Sequence, residues 1–82
     1  MNDYSSVDYS ITPMGKTVKM VNSDGTLFDA ELSVVHTKSK AILDAMPDTI
    51  AKTIAPGSLA FLTGMGTNWQ KDFDGTWKEV EL

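Results

Sequence analysis

The stretch Gly57-Ser-Leu-Ala-Phe-Leu-Thr-Gly-Met65-Gly-Thr-Asn-Trp69-Gln-Lys-Asp-Phe73-Asp-Gly-Thr-Trp77-Lys-Glu-Val-Glu-Leu82 holds both tryptophans and two of the three phenylalanines. Its apolar and aromatic runs, 59–63, 68–73 and 76–82, are separated by Gly-Met-Gly and Asp-Gly, the punctuation of antiparallel strands. This predicts a C-terminal three-stranded antiparallel meander on which the rest of the chain packs. A three-residue second turn sets Lys71 opposite Trp77 and Trp69 opposite Glu79, so the two tryptophans lie diagonally on one face with Lys71 between them. Val80 and Leu82 then fall on the opposite side. The run 59–63 is apolar on both faces and should be the most buried strand.

Outward from the meander, Ala55-Pro56-Gly57 closes a helical region over residues 37–55. Thr37 or Ser39 can cap its start. Pro47 lacks the amide proton that a continuous helix would donate to Leu43, so the region should break into two short pieces. Asp48 beside it suits the positive end of a second helix. Ile42, Met46, Ile50 and Ile54 recur every four residues and make an apolar strip to lay on a sheet.

Residues 16–35 read as a hairpin around Ser23-Asp24-Gly25. A two-residue loop would set Met20 against Asp29 and Val18 against Glu31, apolar against charged. A three-residue loop with Gly25 left-handed sets Met20 against Phe28, Val18 against Ala30 and Lys19 against Asp29, and a slip of one residue would turn the apolar set outward. Phe28, Ala30, Leu32 and Val34 then line the core face, with Asp29, Glu31 and Ser33 in water. Asp74-Gly75 repeats this turn chemistry. Before the hairpin, Val7, Tyr9 and Ile11 alternate as in a short strand, the lesser alternative being that residues 1–13 form an extended arm that reaches a partner. The fold class read from the sequence is therefore α+β: an N-terminal β-hairpin, a short Pro-interrupted helical segment and the meander.

At 82 residues, the chain has room for one small domain over 1–82 with a thin stability margin. Cysteine is absent, which excludes disulfides and thiolate metal sites. The net charge of -4, with the seven basic residues scattered, argues against nucleic acid or an anionic membrane as partner. The first residues carry acid where a secretion signal needs base. No run approaches the roughly 20 apolar residues that cross a bilayer. The sequence therefore reads as a chain made and kept in soluble form.

Chemistry finds little support. His36 has no second histidine or cysteine for a metal site and no recognisable nucleophile, and reads as a strand-end residue. Each Asp-Gly turn offers one well-placed carboxylate, short of a calcium loop. The glycines of 57–66 lack the Lys-Ser/Thr of a phosphate loop. No catalytic, cofactor or metal residues are assigned. Met65, Trp69, Phe73 and Trp77 are the types enriched at interfaces, and they either form this chain's own core or dock on a second subunit.

The segment Pro56-Gly-Ser-Leu-Ala-Phe-Leu-Thr63, a glycine turn, and Asn68-Trp-Gln-Lys-Asp-Phe-Asp-Gly-Thr-Trp-Lys-Glu-Val80 resembles the C-terminal module of small tailed-bacteriophage virion proteins. The likeness covers the last third of the chain, with a looser one over 16–46. Gly64-Met65-Gly66 departs from the Asp/Ser-rich turn of that pattern and marks a remodelled turn or a contact. The resemblance implies a non-enzymatic virion protein of the capsid decoration, head-fibre or tail accessory kind. Such a protein is made in the host cytoplasm, binds other virion proteins and is homo-oligomeric. A small acidic module that sequesters a partner through Asp29 and Glu31 is the alternative, and an enzyme using His36 ranks last.

Overall fold

The computed structural model of this chain describes residues 4–5 and 8–81. Its strands are β1 (Tyr4–Ser5), β2 (Tyr9–Val21), β3 (Leu27–Thr37), β4 (Leu59–Leu62), β5 (Thr67–Lys71) and β6 (Trp77–Val80). Two helical pieces, α1 (Lys40–Asp44) and α2 (Asp48–Ala51), link β3 to β4. All strands join one sheet in chain order. Since β1 has only two residues, the sheet proper is five-stranded and mixed.

This overturns the α+β expectation with its separate C-terminal three-stranded meander, because 51% of the described residues are strand and 12% helix. The physical reason is the parallel pairing of β3 with β4, Val34 against Leu59 through Thr37 against Leu62. It welds the two halves into one sheet. A parallel neighbour demands a long crossover, and the helical segment is that crossover. Ser39 caps α1 by accepting from the Ile42 amide at 3.3 Å, and Pro47 sits at the start of α2, so the break falls where the proline requires it.

The hairpin β2–β3 has the register expected from the three-residue loop, with Val18 against Ala30, Lys19 against Asp29 and Met20 against Phe28. The N-terminal limit was set too late. β2 runs on through Pro13 to Tyr9, with a register shift between Pro13 and Lys16. A bulge accommodates a proline that cannot donate to the ladder, and Gly15, at φ 79°, supplies its left-handed residue. Val7, counted in the expected alternation, lies outside the described residues, as do residues 1–3 and 6 of the expected arm.

The face assignment of β3 also needs correction. Val35, Ser33 and Thr37 are buried, while of the four residues expected in the core Ala30 is buried, at 1%, and Phe28, Leu32 and Val34 are only half-buried. Glu31, expected in water with Asp29, is 9% exposed. The helices cover the Val35 face, and Leu43, Met46 and Ile54 pack there with Ile11, Ala60, Leu62 and Trp77. Of the expected four-residue strip, Met46, Ile50 and Ile54 reach this core. In α1 it is Leu43, not Ile42, that is buried.

Candidate interaction surface

The two hairpin tips use one chemistry. Asn22 N–H donates to the Thr26 carbonyl at 2.8 Å and Gly25 N–H to the Asn22 carbonyl at 2.9 Å. Asp72, Thr76 and Gly75 make the same pair of bonds at 2.8 and 3.1 Å. Inside each loop an aspartate Oδ1 accepts twice from the threonine two residues on. Its hydroxyl donates at 2.6 Å in both turns and its amide at 2.9 Å in both. The Thr26 hydroxyl, then its amide, hold the Asp24 carboxyl below its ordinary 3.8, and Thr76 does the same for Asp74. These are stiff turns closed without help from distant residues.

Phe73 stands on the second tip and is 84% exposed. At the matching position of the first tip stands Ser23, so the turn itself has no need of an aromatic ring. Met65 is exposed on the β4–β5 turn, at the other end of β5. That turn carries a backbone contact: Gly64 N–H donates to the Lys38 carbonyl at 3.1 Å. A Cβ at position 64 would stand 2.4 Å from the same oxygen, so only glycine fits.

The two tryptophans are placed differently. Trp77 belongs to the core. Trp69 packs on that core half-buried, its indole N–H donating to Thr67 Oγ1 at 2.9 Å. The Lys40 ammonium lies 4.7 Å from the Trp69 ring centroid. The sequence-derived quartet is thus not one patch. Phe73 and Met65 are exposed at opposite ends, while Trp77 and most of Trp69 face inward.

Lys71, opposite Trp77 as expected, has a role that sequence reasoning did not find. Its ammonium donates to the carbonyls of Ala51 at 2.6 Å and Ile54 at 2.8 Å, where the chain leaves α2. Desolvation pushes its pKa below the usual 10.5. A cavity of about 400 Å³ opens beside it, bordered by Lys40, Asp44, Asp48 and Trp77.

Register and alternation leave the second face of the sheet free of helix. One row across it reads Thr12, Val34, Leu59, Gln70, Lys78, and the next Ser10, His36, Phe61, Asn68, Val80. Val34, Leu59 and Phe61 form an apolar strip on the two central strands, extended by Leu32, and all four are half-buried. The His36 ring is exposed and stacks on Phe61 with centroids 5.5 Å apart. On the side of the crossover, and not on this face, Lys52 and Phe73 border Phe28 and Ala30 around a cavity of about 110 Å³ that Ile54 and Lys71 also line. Among the described residues no group of three or more His, Asp or Glu is placed to hold a metal ion.

No known family, curated protein or solved structure matches this chain.

Proposed function

We propose that this chain is a non-enzymatic structural or accessory protein of a phage virion, of the capsid decoration, head-fibre or tail kind, that binds a repeated protein surface. The observation that carries it is Phe73, an aromatic side chain 84% exposed on a turn whose twin bears serine at the same place. A ring left mostly in solvent, held on a rigid support, is the geometry of an anchor that fills a partner's pocket at little entropic cost. Repetition of the partner on a lattice multiplies a modest contact into firm attachment.

The alternative, a regulator that recognises its partner through Asp29 and Glu31, gains nothing from their placement. Glu31 is buried, and the Asp29 carboxylate accepts from Lys19 Nζ at 2.6 Å.

The test is co-sedimentation of the purified chain with assembled particles from the infecting phage. The wild type is expected to pellet with them. Phe73→Ser, which copies the natural first turn, should keep its melting temperature within a few degrees and lose about tenfold or more in binding, the scale of a central aromatic anchor. Wild-type protein that stays in the supernatant with particles in excess would sink the proposal.

A further inference from the structure

The second face of the sheet is built to meet itself. The chain carries 11 Asp and Glu residues for a net charge of -4, yet neither open-face row contains a carboxylate. The apolar strip on β3 and β4 is flanked by the neutral Ser10 and Thr12 on one side and by Asn68 and Gln70 on the other. Lys78, at the margin, lies 3.5 Å from Asp74. An apolar centre with a mostly neutral polar rim, charged only at its ends by Lys78 and by Asp8 and Lys38 beside His36, is the anatomy of a protein interface. For an acidic chain, it is also the one composition that lets two copies approach without carboxylates facing each other.

We infer that two copies of this chain pack face to face through this surface, the Val34, Leu59 and Phe61 strip of one lying on that of the other. Antiparallel or mixed sheets stack about 10 Å apart with strands crossing near 30°, side chains interdigitating between them. A two-fold axis through the strip makes the contact isologous, so that one patch serves both partners and the assembly closes at two. The stack of His36 on Phe61 holds the largest ring of the patch in place before the partner arrives.

Size sets the strength. Five strands about 4.8 Å apart and three residue rows about 6.6 Å apart cover on the order of 450 Å² per copy, or roughly 900 Å² for the pair. That is below the roughly 1,200 Å² at which stable complexes begin. The dimer is therefore a reversible one that forms at high local concentration, as on a lattice. The contact does not rest on the proposed function and uses a different surface from Phe73, so the two can fail separately.

Sedimentation velocity across about 10 to 500 μM, the range a contact of this size calls for, should show a monomer giving way to a dimer and nothing larger. Phe61→Lys should remain monomeric throughout. Should that variant fold poorly, Thr12→Asp, at an exposed position of the rim, introduces the missing carboxylate and is expected to weaken the dimer about tenfold. A wild type monomeric at the highest concentration overturns the inference, as does a dimer insensitive to both substitutions. A Phe73→Ser chain that dimerises normally but no longer pellets with particles supports both assignments. A wild type that dimerises through this face without binding particles leaves the inference standing and removes the proposed function.

Discussion

A buried lysine is costly in a chain with little stability to spare, so the placement of Lys71 calls for a physical account. At 9% exposure, its ammonium has left bulk water for two carbonyls at the end of α2. The Ala51 oxygen already accepts from the Ile54 amide at 3.1 Å, and the Ile54 carbonyl lies past the end of the four-residue α2. Replacing the lysine with methionine keeps the stem but takes the ammonium from both carbonyls, leaving the Ala51 oxygen its bond from the Ile54 amide. Lys71→Met should therefore lower unfolding free energy at pH 7.5 by about 2–3 kcal/mol, read by urea denaturation. The native pKa lies below the ordinary 10.5, so between the two values the unfolded state binds more protons than the native state, and stability rises with pH. The neutral amine still donates. The gap between wild type and Lys71→Met should consequently widen from pH 7.5 to pH 10, and a gap that narrows would refute this account of the site.

Local signals at the level of elements were legible because their causes are local. The Met20–Phe28 register followed from refusing to set apolar side chains against charges, and the Pro47 break followed from one missing amide proton. The three-residue turn at Asp74-Gly75 fixed Lys71 against Trp77 in advance. The parallel pair β3–β4 left no comparable mark: Val34 and Leu59 meet across 25 positions, and a strand's apolar run does not say which neighbour it will take. With that pair unseen, the wrong face of β3 was assigned to the core. The alternating pattern of Phe28 to Val34 favours one side, whereas the crossover helices lie on the other and bury Val35. Of the candidate site, Phe73 and Met65 were legible as apolar residues inside turns, but the open face required the sheet order.

Two serines hold the entry to β4 against β3. Ser58 Oγ accepts from the Ser33 amide at 3.0 Å and donates to the Ala55 carbonyl at 2.6 Å, and both serines are 1% exposed. In the sequence, Gly57-Ser58 reads merely as punctuation. Ser58→Ala leaves the buried Ser33 amide without its acceptor, while the Ala55 carbonyl keeps the Ser58 amide at 3.2 Å, and should cost about 1–3 kcal/mol. Thermal unfolding measures it. A loss within a few tenths of a kcal/mol would mean that the serines are incidental to the pairing.

For the molecule as a whole, the question is whether the welded sheet unfolds as one unit or whether hairpin and C-terminal strands melt apart. Val35 is fully buried on the N-terminal side of the parallel seam, paired with Ala60 on the other side. Both tryptophans lie beyond that seam, in β5 and β6, so their fluorescence reports only on the C-terminal half. If the halves were separate modules, trimming Val35 would leave the tryptophan transition where it was. In one sheet with one core, Val35→Ala removes packing from residues of both halves, because Ile11 from β2 and Leu62 and Trp77 from beyond the seam share its cluster. The expected loss is about 1.5–3 kcal/mol. It should appear equally in tryptophan fluorescence and in far-ultraviolet circular dichroism, the two curves coinciding as a two-state transition requires. Dichroism moving alone, with fluorescence fixed, would show that the parallel seam is too weak to couple the hairpin to the strands that carry Phe73.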